Sequence, residues 1–261
     1  MLKVLNTEMK YSKDKSVSFD SEAHTYFKKD KKLISVTTFL SAFKNKFDSD
    51  YWSEKIAKRE NTTKEVILKK WKDKAFKSTE IGTAIHKIFE DYTNNEYMIV
   101  NEELVFSIPN LEYSFYEDYN KKRKIAIDFI KDFFISKRLT PIESEFIVYD
   151  NYLAGQIDNI SKDSENNYYI LDFKTNEKID YDSYNKKMKG ILSEFNDSSF
   201  YHYSLQLSIY KEILKEYKIK NIYLVHITDI NYKFIECIDL LKEISLKELI
   251  KNYKEITNQP H

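Results

Sequence analysis

Between residues 16 and 36 apolar and polar positions alternate around turn-forming pairs, with Val17 and Phe19, then Tyr26, then Leu33 and Val36 on the apolar side. A period of two predicts a small hairpin. The period then lengthens. Ser35 or Thr37 can cap a helix over 38–47, and Thr62 with Glu65 has the capping-box spacing that opens a helix over 63–77. Ser78 or Thr79 caps a further helix over about 80–94, whose apolar face is Ile81, Ala84, Ile85, Ile88 and Phe89. A long helix is expected over about 112–137, apolar in its second half. The period returns to two over 142–149, 153–160 and 168–175, which read as three strands. A helix over about 200–217, strands at 221–228 and 233–239 and a C-terminal helix over 245–256 complete the chain. This order predicts an α/β (α+β) fold with a central mixed β-sheet flanked by helices and an N-terminal helical part. Residues 1–78 are expected to form the hairpin and helical part and 79–261 the core, as one compact unit.

Composition narrows the chemistry. The chain has 261 residues, 42% of them apolar, enough for a sizeable core. Three glycines, at 82, 155 and 190, exclude a Gly-rich phosphate loop or a dinucleotide fingerprint. The single cysteine, Cys237, excludes a disulfide framework, a four-cysteine zinc site and a cysteine-ligated iron–sulfur cluster. No apolar run approaches ~18 residues, and residues 1–15 lack the pattern of a signal peptide. A cytoplasmic protein without a membrane segment is therefore expected. Lysine outnumbers arginine 39 to 3, the mark of an AT-rich genome, so each retained glycine gains weight as a backbone requirement.

A net charge of zero hides segregation. Residues 41–80 carry 11 Lys/Arg against 7 Asp/Glu (+4), residues 121–138 carry 7 against 2 (+5), and residues 141–182 carry 3 against 10 (−7). Basic surfaces can neutralise phosphates, and an acidic segment beside them makes sense if cations lie between. Plain solvated faces would give the same counts.

Candidate chemistry gathers in the acidic segment. Ala154-Gly155-Gln156-Ile157-Asp158 precedes a turn signal at 163–167, and Leu171-Asp172-Phe173-Lys174-Thr175 follows it. A simple hairpin with pair sums near 330 sets Asp158 opposite Asp172, and Lys174 shares a face with Asp172. Opposed carboxylates repel unless a cation or proton intervenes, so two carboxylates and an ammonium suit a hard divalent cation and a phosphate. An exposed face with a cross-strand ion pair is the alternative. Glu143 and Glu145 share a face by period two, and either can add a carboxylate. Gly82, His86 and Glu90 form an i, i+4 stripe, with Gly82 allowing close approach of another backbone and His86 pointing to the contact. A lone helical histidine is otherwise a satisfied core or surface group. Gln206 and Tyr210 are also i, i+4 partners, a spacing that an amphipathic helix gives by itself. Tyr201, His202 and Tyr203 add rings able to stack on bases.

Taken in order, these segments resemble the PD-(D/E)XK nuclease superfamily, specifically its RecB-like exonuclease branch. The series is GTAIH (82–86), ESEF (143–146), GQID (155–158), DFK (172–174) and QLSIY (206–210). Residues 24–47, with His24, Tyr26 and the SVTTFL stretch, are similar to the N-terminal part of phage exonucleases and of the mitochondrial genome maintenance exonuclease. The resemblance implies a restriction-endonuclease-like core. It implies Asp158 and Asp172 as catalytic metal-binding carboxylates, His86 and the Phe173 carbonyl as further ligands, and Glu145 as an accessory acid. Lys174 would orient or activate the attacking water and stabilise the charged phosphorane-like state. Gln206 and Tyr210 would brace the lysine and contact the DNA backbone, with Gly82 and Glu90 in support. The implied cofactor is Mg2+, for which Mn2+ can substitute, without the iron–sulfur cluster of four-cysteine members. The implied substrate is DNA, single-stranded or with free ends. A single-strand annealing or replication protein is the kind of partner expected, in the bacterial cytosol or a phage-infected host. The leading expectation is an exonuclease for DNA recombination, repair or replication. A structure-specific endonuclease and a catalytically silent DNA-end-binding module are the alternatives.

Overall fold

The first described residues alternate as a strand should. Val17–Asp20 (β1), Thr25–Lys28 (β2) and Lys31–Ser35 (β3) form an antiparallel meander, one strand more than a simple hairpin. The computed structural model describes residues 17–20, 25–29 and 31–257; His24 lies outside the described residues. β3 passes directly into Val36–Ser41 (α1), where the Ser35 hydroxyl caps the Thr38 amide at 3.1 Å. This helix is shorter than the expected 38–47. Asn45 is drawn away by Asp197, whose Oδ2 accepts its backbone N–H at 2.9 Å, and by the Lys187 carbonyl.

Ser49–Glu60 (α2) and Lys64–Thr93 (α3) form a helical hairpin. The side-chain cap of α3 is Thr63, one residue beyond the expected Thr62. α3 runs unbroken for 30 residues where two helices were expected, a length of about 45 Å. Ser78 and Thr79 favour a helix start only where the chain departs from helical geometry. Here Ile81, Ile85, Ile88 and Phe89 are buried in the core and carry the helix through. The 78/79 boundary thus falls inside one element. Met98–Val100 (β4) and Glu103–Val105 (β5) make a separate two-stranded sheet. The expected helix 112–137 divides into a 3-10 turn, Tyr116–Phe129 (α4), and a π-helical turn over Ile130–Ile135.

The central strands are Thr140–Tyr149 (β6), Leu153–Lys162 (β7), Tyr168–Lys174 (β8), Ile219–Ile227 (β9) and Tyr232–Glu236 (β10). Ser199–Ile213 (α5) precedes β9 and Leu246–Thr257 (α6) closes the chain. β6–β7–β8 are antiparallel, β8–β9 parallel, β9–β10 antiparallel, and β3 joins β7 in parallel. The result is a mixed sheet with a restriction-endonuclease-like layering. Tyr169, Leu171 and Phe173 pack with α3 and α4 on one face, while Ile170 packs with α1, α5 and α6 on the other.

One detail of the pairing builds the site. β6 pairs along β7 from Ala154 to Lys162. β3 and β8 must therefore share the opposite edge, β3 at Leu153 and Ala154, β8 at Asn159 to Lys162. Residues 155–158 on that edge have no strand partner among those described. The sheet opens there, and it opens at the GQID segment.

Candidate active site

The β7–β8 register has pair sums of 330, with Asn159 opposite Leu171 and Ile160 opposite Ile170. The next pair outward would be Asp158 and Asp172. The ladder stops short of it, because the Asp158 carboxylate itself accepts the Phe173 N–H at 2.7 Å. A side chain thus fills the opening between the strands and draws its charge toward the end of β8.

His86 arrives from the middle of α3. Its Nε2–H donates to the Phe173 carbonyl at 2.8 Å, and its Nδ1 faces Asp158 Oδ2 at 3.5 Å. Four residues earlier, a Cβ on Gly82 would stand 3.2 Å from Thr175 Oγ1. The close approach expected at Gly82 is real, but it is made to a side chain just past β8, not to a backbone. Glu145 comes from β6 with φ at +49°, in the left-handed region that a glutamate seldom occupies. Such strain persists where the surroundings hold it, and Gln156 Nε2 donates to the Glu145 carbonyl at 3.2 Å. Ligand atoms of His86, Glu145 and Asp158 all lie within 4.8 Å of one another. Glu143, expected to share a face with Glu145, is not in that group.

Asp172 is 3% exposed, and its Oδ2 lies 2.6 Å from Lys174 Nζ. The ammonium is the charged partner of that buried oxygen. Burial pushes the Asp172 carboxyl up, opposed by the lysine charge and reinforced by Asp158. For Lys174 burial pulls downward, but the charges of Asp172 and Asp158 outweigh it and hold the ammonium above the usual lysine range. The Lys174 ammonium also sits 4.9 Å over the ring of Tyr203 on α5. Glu145 is pushed up to about 7, first by burial, then by Asp158 and Glu90.

Tyr210 explains Gly155. A Cβ there would lie 2.5 Å from Tyr210 Cε1 and 2.7 Å from its hydroxyl oxygen, so the ring occupies the space a side chain at 155 would need. Gln206 Nε2 donates to the Tyr210 hydroxyl at 3.1 Å. Burial raises the Tyr210 pKa, keeping the hydroxyl neutral. The i, i+4 pair therefore braces the GQID strand beneath Asp158. Glu90 is held by Lys87 at 3.2 Å and reaches the site through its field on Glu145.

The donor set fits a hard divalent cation. It offers carboxylates, one imidazole and one carbonyl. For His86 Nε2 to serve as a ligand, the proton it now shares with the Phe173 carbonyl would move to Nδ1, which faces Asp158 Oδ2 at 3.5 Å.

A sequence profile for a family described as a PDDEXK-like domain of unknown function (DUF3799) matches residues 41–259. The chain belongs to this family. As a PD-(D/E)XK-type nuclease domain, the DUF3799 chain has DNA as its implied substrate, and its class uses divalent metals. No curated protein matches it. Among solved structures it is similar to a candidate exonuclease from Eubacterium rectale, at 14% identity and a TM-score of 0.44, covering 86% of this chain and 80% of that one. It is also similar to a protein named SSO0001, at 17% identity and a TM-score of 0.31, over 56% of this chain and 62% of that one. Among the described residues no helix of the DUF3799 chain is long and apolar enough to cross a membrane.

Two features of the site escaped the sequence reading. Tyr203 was read as a base-stacking ring, yet it covers Lys174; its place three and seven residues before Gln206 and Tyr210, on one helix face, was the available signal. The clasp of Gln156 on the strained Glu145 backbone had no signal in the sequence.

Proposed function

We propose that the protein is a metal-dependent DNA exonuclease that hydrolyses phosphodiester bonds in single strands or at duplex ends, in DNA recombination, repair or replication. The observation that carries this is the meeting of His86, Glu145, Asp158 and the Phe173 carbonyl beside the Asp172–Lys174 pair. His86, Asp158, Asp172 and the Phe173 carbonyl would hold Mg2+ or Mn2+, with Glu145 as an added carboxylate. The ion, when bound, supplies Lewis acidity and lowers the pKa of a nearby water.

The chain's own groups do the rest. Lys174 is a charged donor at neutral pH, so it orients the attacking water and stabilises negative charge on the phosphoryl oxygens; its raised pKa argues against a role as base. Tyr203 limits where the ammonium can go. Tyr210 and Gln206 hold the strand that carries Asp158.

The test is a time course on 5′-labelled and 3′-labelled oligonucleotides beside a covalently closed circle, with Mg2+, Mn2+ or EDTA, for the wild type and Asp172→Asn. Metal-dependent shortening from an end, lost in the variant, supports the proposal. Cleavage of the circle would make it an endonuclease, and binding without turnover in either metal would make it an accessory module.

A further inference from the structure

Most large apolar side chains that the chain leaves in solvent near α2 are aromatic. Phe47 is 64% exposed, Tyr51 54% and Trp52 37%. They cluster at the N-terminal turn of α2, and Phe47 lies against Trp71 of α3 with ring centroids 5.8 Å apart. The helical hairpin does not need these rings for its own packing. Its buried side chains at this end are Ser53 and Ala57 of α2 and Ile67 of α3, while Phe47, Tyr51 and Trp52 stay exposed.

Two further facts point to the occupant. The Lys55 ammonium lies 5.7 Å over the Tyr51 ring and 4.9 Å over that of Trp52, within a segment of net charge +4 over residues 41–80. Rings interleaved with cations are the pattern that holds single-stranded nucleic acid by stacking and phosphate attraction. The ledge is also continuous with the candidate active site. Trp71 precedes Gly82 by 11 residues, close to three full turns, so both lie on one face of α3. Trp71 is 15 residues before His86, about 22 Å along the axis. Between them opens a cleft of about 230 Å³ lined by Lys74, Lys77, Ser78, Lys122 and Thr175, among others. Its three lysines now pair with Glu177, Asp118 and Asp229 at 2.6–2.8 Å. Such partly exposed pairs are weak, so phosphates can exchange for the carboxylates.

We propose that Phe47, Tyr51, Trp52 and Trp71 form a stacking ledge for the unpaired bases of a DNA strand whose backbone follows α3 to the metal-binding groups. This rests on the nuclease reading and deepens it, because a ledge of exposed rings has little to grip on a base-paired duplex. The substrate class it selects is single-stranded DNA.

The test measures anisotropy of the full chain with three fluorescein-labelled probes in EDTA: an oligothymidylate, an abasic oligomer of equal length and a blunt duplex. Cleavage with Mg2+ is followed in parallel. Phe47→Ala/Tyr51→Ala should weaken oligothymidylate binding about 5- to 150-fold, the range for lost base stacking, and leave abasic binding unchanged. Trp52→Phe, which keeps a ring, should bind as the wild type does. Oligothymidylate should quench the tryptophan fluorescence of the wild type. Wild-type affinity in the double variant, or equal loss for the abasic probe, overturns the ledge while cleavage by the wild type leaves the nuclease reading standing. If the wild type neither cleaves nor binds any probe, both fall. If the double substitution dissolves a dimer without touching DNA affinity, the face belongs to a second copy and the ledge is overturned.

Discussion

Replacing Glu145 by glutamine isolates the cost of burying an ionisable acid beside other acids. The Glu145 carboxyl is raised from an ordinary 4.5 to about 7, chiefly by burial and then by Asp158 and Glu90. A raised carboxyl pKa means that the folded state binds the proton more tightly than the unfolded chain. Below pH 4.5 both states are protonated and the folded state carries no penalty. As the pH climbs through 7 the folded state must ionise a group it would keep neutral, and this contribution to stability is lost. A difference of 2.5 units corresponds to about 3 kcal/mol, and partial exposure reduces it to about 2 kcal/mol. Glu145→Gln does not titrate. Urea unfolding in EDTA should therefore give variant and wild type similar stabilities, up to a constant offset, at pH 4.5. By pH 8 the variant should gain about 2 kcal/mol on the wild type. Adding Mg2+ at pH 8 should narrow the gap, because a cation offsets the Glu145 charge, which only the wild type carries. A stability difference that stays flat with pH, or grows in favour of the wild type in EDTA, would refute the reasoning.

Three other outcomes are expected. Gly155→Ala pushes a methyl into the buried Tyr210 ring, and such overpacking should cost about 1–3 kcal/mol in urea unfolding; adding Tyr210→Leu should recover part of it. Lys174→Ala should lower the DNA cleavage rate by at least about 100-fold, the scale for loss of a transition-state donor, with little change in DNA affinity by anisotropy; equal loss of both would deny it a catalytic role. His86→Ala should raise the Mg2+ or Mn2+ concentration for half-maximal cleavage by at least about 10-fold, and an unchanged metal titration would return His86 to a merely structural place.

The sequence by itself determined the kind of each central element, because burial on one face writes a period of 2 or 3.6 into the chain. It also determined the Asp158–Asp172 register, since a short turn between two alternating strands permits few pairings. With those came the residues of the candidate site, as five short motifs in order. Tertiary structure decided what local pattern cannot encode. Thr79 and Ser78 read as caps, but the buried face from Ile81 to Phe89 carries α3 straight through them. Alternation put Glu145 beside Glu143, but the backbone at Glu145 turns to φ +49° and sends its carboxylate to His86 and Asp158. Gly155 was visible as a rare glycine, yet only the docking of α5 gives the reason, a tyrosine ring lying where a side chain would be. Each of these depends on atoms far apart in sequence that compete for one space, and no window along the chain contains both competitors.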